Sequence, residues 1–284
     1  MMTNKPLLHP SVEKRLQALL ERRPHAVLLA APAGAGKETI ARWLASELLH
    51  ADNLDTHPHF LHITADDGKA IGIEAVRQLE HVISLKTTGN DETGRVIAIS
   101  NAHLLTSEAQ NALLKMLEEP PVGTVLILTS SQQEALLPTM QSRLQKLDIL
   151  PPDRSELESE LRAQGVANTQ VLSVMALSGG LPGLAFALAQ NDEEHSLVKA
   201  AKTARELLQQ STFEKLCQVE KLSKNKEAGR NLIQILMQMS HAALLTGKGS
   251  ERWQRVLQAA YDAETALSRG TQPKLAYTNL MLNL

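Results

Sequence analysis

The sequence predicts a parallel five-stranded α/β sheet with flanking helices, built around a phosphate-type loop and followed by two all-helical domains. Three observations carry that expectation. Short apolar runs alternate with helical patterns over the first 150 residues, as in sheets whose strands are buried on both faces. A glycine-rich turn separates the first run from the helix after it. Beyond Pro151-Pro152 no strand pattern remains.

The elements follow in order. Residues 11–22 (SVEKRLQALLER) space apolar groups helically, with Ser11 as the expected N-cap. Ala26–Ala30 is the first strand, and a helix over Thr39–Leu49 follows the turn. Further strands are expected at Phe60–Thr64, Val96–Ser100, Val125–Thr129 and Lys146–Ile149. Helices are expected between them at Ile73–Ser84 and Ser107–Glu118. The second of these starts on a Ser107/Gln110 capping box and stops at Pro120-Pro121. The predicted domains are residues 1–150 for the sheet, 151–192 for a small helical lid and 193–284 for a helical collar. Within the last two, residues 154–190 read as a helical unit interrupted at Ser178–Gly183, and amphipathic stretches occupy 197–209, 228–246 and 251–268.

Composition limits the function. Lys plus Arg number 29 against 31 Asp plus Glu, for a net charge of −2, so the chain lacks the basic surplus of a protein that grips nucleic acid alone. Aromatic residues make up 2%, too few for a base-stacking platform. One cysteine, Cys217, excludes an internal disulfide and any multi-thiolate zinc site. No apolar run approaches the ~20 residues of a membrane span, and the start, MMTNKPLLHPSVEKR, lacks the apolar core of a secretory signal. A cytoplasmic, reduced setting without membrane contact is the expectation. His50, His57, His59 and His62 fit no ordinary zinc spacing and are expected to face solvent as loop residues, so no metal is expected.

The loop is Ala31-Pro32-Ala33-Gly34-Ala35-Gly36-Lys37-Glu38-Thr39. A working Walker A loop reads G-x-x-x-x-G-K-[S/T], with backbone N–H groups and the lysine on the phosphates and the hydroxyl on Mg²⁺. Gly34, Gly36 and Lys37 fit that pattern, whereas Ala31 and Glu38 replace the first glycine and the hydroxyl residue. A carboxylate facing a phosphate at ~4 Å costs about 4 kcal/mol at an effective dielectric near 20. At an empty helix N-terminus the same carboxylate is favoured by the dipole. Walker B fails as well: Val96-Ile97-Ala98-Ile99 ends in Ser100 and Asn101, and neither can act as a general base. Binding of ATP and Mg²⁺ in this site is therefore doubtful, and hydrolysis is not expected.

The stretch Asn101–Pro121, and above all NALLKMLEEPP (residues 111–121), resembles the clamp-loader branch of AAA+ ATPases. His25-Ala26, His57-Pro58, Ile73–Arg77, Ser142-Arg143-Leu144 and the closing Pro273–Ala276 run agree with it in order. The similarity is greatest to the member of the bacterial DNA polymerase III clamp loader that keeps the AAA+ frame with a defective ATP site. The resemblance implies that Arg143, next to Ser142, is an arginine finger reaching a neighbouring ATPase subunit. It implies partners too: ATPase subunits and a delta subunit in a hetero-oligomeric ring, with sliding clamp and primer–template DNA reached through the complex. Departures from the family are Leu144 for the usual cysteine, the missing four-cysteine zinc module between His50 and His62, and apolar Leu184 at the sensor-2 position. Thr129 and Ser130 stand at sensor 1. Two alternatives stay open: a hydrolysing subunit, with Glu38 on Mg²⁺ and Asp66 or Asp67 as the acid, or an AAA+-derived scaffold outside replication.

Overall fold

In the computed structural model, residues 5–65, 69–84, 94–245 and 249–284 are described. The chain divides into two compact units, Met1–Asp153 and Arg154–Leu284.

The first unit is a five-stranded parallel sheet in the order β2-β3-β4-β1-β5, formed by β1 (Ala26–Ala30), β2 (Phe60–Ile63), β3 (Arg95–Ile99), β4 (Thr124–Ser130) and β5 (Gln145–Asp148). Each expected strand is found, the first with the expected bounds and the other four with one or both ends moved by a residue. β1, β3 and β4 are buried along their whole length, which explains why they read as unbroken apolar runs. Alternate residues serve opposite faces. Val27, Leu29, Val125 and Ile127 pack with helices α1 (Pro10–Arg22) and α2 (Lys37–Leu49). Leu28, Ile97, Ile99, Leu126 and Leu128 pack with α3 (Ile73–Ser84) and α4 (Ser107–Glu118).

Two helix caps differ from expectation. Helix α1 is capped by His9, whose Nδ1 accepts the Ser11 N–H at 3.2 Å. Pro10 occupies the first turn, where its missing N–H costs nothing, so the cap moves forward from Ser11. Helix α4 is capped by Thr106, whose Oγ1 accepts the Ala109 N–H at 3.2 Å, in place of a Ser107/Gln110 capping box.

Gln110 has a different task. It is 3% exposed, and its Nε2 donates to Leu105 O (3.2 Å) and Ala135 O (3.1 Å) while its Oε1 accepts from Leu137 N (2.7 Å). It thereby ties α4 to the turn that leads into α5 (Pro138–Gln141), the short helix just before Arg143.

The second unit is helical throughout its described residues. It runs through α6 (Arg154–Ala163), α7 (Asn168–Ser178), α8 (Pro182–Gln190), α9 (Ser196–Leu207), α10 (Thr212–Cys217), α11 (Val219–Lys224), α12 (Lys226–Leu245), α13 (Ser250–Ser268) and α14 (Pro273–Asn283). Apart from residues 151–153, the segments expected as lid and collar lie in this unit, and α12 packs on α7 as well as on α9. Among the described residues no helix is long and apolar enough to cross a membrane.

Removing the Gln110 amide leaves three backbone groups short of a partner, of which the Leu105 carbonyl is buried, each worth on the order of 1 kcal/mol net. Gln110→Leu should lower unfolding stability by about 2–3 kcal/mol in urea denaturation, with an unchanged m-value. A loss below the error of the fit would show that the tie does not hold this turn.

Candidate functional site

The phosphate-type loop leaves the C-terminal end of β1 and enters α2, the place where open α/β sheets bind ligands. Gly34 and Gly36 hold φ of 82° and 80°, left-handed values that explain glycine at both positions. Gly36 is the N-cap of α2, and the helix begins at Lys37, two residues before the sequence-based start. Lys37 is 7% exposed, and its Nζ donates to Ala31 O (2.8 Å) and Pro32 O (2.9 Å) of its own loop. Glu38 and Thr39 lie in the first turn of α2 and are exposed.

The positions expected to hold Mg²⁺ are joined instead by a histidine. His62 lies in edge strand β2, in register with Ala98 of β3, two residues before Ser100. Its Nε2 shares a 2.9 Å hydrogen bond with Ser100 Oγ and sits 3.8 Å from Glu38 Oε1. Ser100 is 3% exposed. The expectation that His62 is a solvent-facing loop histidine is therefore corrected. The open sheet edge exposes its backbone, but its side chain is only 23% exposed because the imidazole turns toward Ser100. The ring stacks near Phe60, with centroids 6.1 Å apart, and Arg42 of α2 lies 5.8 Å from the Phe60 ring.

Asn101 adopts the left-handed region at φ 53°, which asparagine tolerates better than most residues. Its backbone N–H donates to Thr129 Oγ1 at 2.9 Å, so Thr129 of β4 bonds the end of β3. Ser130 Oγ accepts from Gln132 N at 3.1 Å and lies 3.4 Å from His103 Nδ1. Leu184 is fully buried in α8, a core position of the second unit.

This donor set does not match a hydrolytic Mg²⁺ centre. The hydroxyl at the end of β3 is bonded to an imidazole, and the Glu38 carboxylate faces that imidazole. Among the described residues no group of three or more His, Cys, Asp or Glu is arranged to hold a metal ion. Asp66 and Asp67 lie outside the described residues. The loop's own ammonium, on Lys37, is held by the carbonyls of Ala31 and Pro32.

Arg143 is at the other end of the sheet. β1 and β5 run parallel with Val27 opposite Gln145 and Ala30 opposite Asp148, so Arg143 precedes β5 while the loop follows β1. At about 3.3 Å per residue the strand alone separates these ends by roughly 15 Å. Arg143 Nη1 donates to Thr139 O (2.8 Å) and Ser142 Oγ (3.4 Å), and Ser142 Oγ donates to Thr139 O (3.0 Å). Arg143 Nη2 pairs with Glu118 Oε1, at the end of α4, at 2.8 Å. The structure therefore brings Glu38 and Ser100 together through His62, and keeps Ser142 and Arg143 apart from them. Sequence reasoning missed His62 and Glu118. The only hint of His62 was a polar residue inside an otherwise apolar strand.

Burial lowers the His62 pKa from its ordinary value, opposed first by Glu38, with Arg42 lowering it further and Asp55 raising it. The fold thus favours neutral imidazole, and unfolding takes up a proton below the ordinary pKa of about 6.5. Stability from this group is fully present above that value and declines as pH falls through it. His195, also lowered by burial, acts in the same direction and is common to both proteins compared. His62→Gln should therefore lose less melting temperature than wild type between pH 7.5 and pH 5.5. Parallel pH profiles for the two proteins would contradict this account of the imidazole.

Comparison with known proteins places the chain in a family. Residues 8–153 match the family model described as DNA polymerase III, delta subunit. The DNA polymerase III subunit delta' of Escherichia coli (strain K12) is 32% identical over 206 residues, 66% of this chain and 61% of that protein. The subunit delta' of Pseudomonas aeruginosa is 33% identical over 206 residues, covering 66% and 62%. The Replication factor C small subunit of Natronomonas pharaonis is 29% identical over 181 residues, covering 63% and 52%. A gamma subunit-related protein from Thermotoga maritima overlays with a TM-score of 0.49 at 14% identity, covering 95% of this chain and 97% of that one. The matched stretch spans less than two thirds of the E. coli and P. aeruginosa relatives. With more than half of its length matched by the family model, the chain belongs to the family of DNA polymerase III delta-prime subunits.

Proposed function

We propose that the chain is a non-hydrolysing member of a clamp-loader ring that supplies Arg143 to the ATP site of a neighbouring ATPase subunit. The assembly would then load a sliding clamp onto primed DNA, and the chain would take part without ATP turnover of its own. The observation that carries this reading is the position of Arg143 ahead of β5, at the sheet end opposite its own loop. A guanidinium there is out of reach of a phosphate in its own loop and lies at an end of the sheet that another subunit could approach. Its side chain is 36% exposed, so a partner can approach it. An arginine finger stabilises charge on the transferring phosphoryl group and is worth roughly 10³–10⁵ in rate in related systems.

Three further features support the reading. Ser100 and Asn101 supply no carboxylate where a hydrolytic site needs one. Lys37 is bonded to its own loop carbonyls. In the second unit, Phe213, Tyr261, Leu275 and Leu282 are large apolar side chains more than half exposed and so available for contact with other subunits. With a net charge of −2, contact with DNA is proposed to be shared across the ring.

The test is reconstitution with partner ATPase subunits. Arg143→Ala should leave assembly intact by size-exclusion chromatography and reduce DNA-stimulated ATP turnover by at least the share of one site. Undiminished turnover in an intact ring would refute the finger.

A further inference from the structure

The finger does not stand free. Nη1 is turned onto its own chain by Thr139 O and Ser142 Oγ, leaving Nη2 and the adjoining edge of the guanidinium as the face that can receive an anion. That face already has one, because Glu118 Oε1 lies 2.8 Å from Nη2. Carboxylate and phosphoryl oxygens are the same class of acceptor for a planar guanidinium, at the same distances. Glu118 comes from α4, part of the same NALLKMLEEPP stretch that singled the chain out, and Gln110 on that helix also holds the turn leading to Arg143.

We infer that Glu118 is an internal stand-in for the partner's phosphoryl group. It positions the Arg143 guanidinium and sets which anions the finger accepts, admitting only a group charged strongly enough to displace a carboxylate. The inference rests on the finger reading. It adds that engagement of the neighbouring site exchanges one anion for another, rather than filling an open hand. Both side chains are partly open to solvent, at 36% and 50% exposure, so the pair is weak enough to exchange.

The pair can be tested on the isolated full chain. The Arg143 Nε–H resonance is followed by NMR as pyrophosphate is added to wild type, Glu118→Gln, Glu118→Ala and Glu119→Gln. Both Glu118 variants should reach their midpoint at roughly two- to five-fold lower pyrophosphate, the range expected for loss of one exposed ion pair. Glu119→Gln removes the same charge next door and should leave the midpoint where it is. Equal midpoints throughout, or an equal shift from Glu119→Gln, would overturn the inference. In the reconstituted ring Glu118→Gln should raise ATP turnover at limiting ATP, and this gain should vanish in an Arg143→Ala background. Unchanged or lower turnover would overturn it there. If Arg143→Ala itself leaves turnover intact, the finger reading fails, while the pyrophosphate titration still decides the role of Glu118.

Discussion

The parallel pairing of β1 with β4 on one side and β5 on the other is the constraint from which the rest of this unit follows. Because all three strands point the same way, everything that leaves a strand gathers at one edge and everything that enters gathers at the other. The phosphate-type loop and the end of β3 belong to the first edge. The end of α4, the turn after α5 and Arg143 belong to the second. The strands between are buried on both faces, so the separation is rigid, and no local side-chain movement brings Arg143 to Lys37.

On the proposed reading the two edges have parted company chemically. At the loop edge the groups are satisfied from within: Lys37 by loop carbonyls, Ser100 by His62, Asn101 N–H by Thr129. A closed set of hydrogen bonds of this kind stabilises the loop without a ligand. At the other edge the Arg143–Glu118 ion pair is partly open to solvent and so exposed enough to be exchanged. An edge satisfied internally suits a structural role, whereas an edge with an exchangeable anion suits contact with a partner.

Much of the fold was legible in the sequence because it depends on local pattern. The three central strands β1, β3 and β4 are mostly apolar runs ended by turn residues, and α3 and α4 have the bounds their periodicity implied. Helix starts were less legible, since caps depend on which side chain turns back. His9 and Thr106 do so, where Ser11 and Ser107 were the local favourites. The short helices α10 and α11 lack the length that makes periodicity visible. At the candidate site the substitutions Glu38, Ser100 and Asn101 could be read directly against the motif. Their replacement partner could not, because His62 meets Ser100 across 38 residues through sheet register alone. Glu118 was hidden for the same reason, since 25 residues separate it from Arg143 and two elements of the fold close the gap.

The central claim is that this chain supplies chemistry to another site and performs none at its own. It is tested most directly by measuring Mg²⁺-dependent ATP turnover on the purified chain alone. The account predicts no turnover above the buffer rate and no change on Lys37→Ala. Turnover that requires Mg²⁺ and is abolished by Lys37→Ala would contradict it.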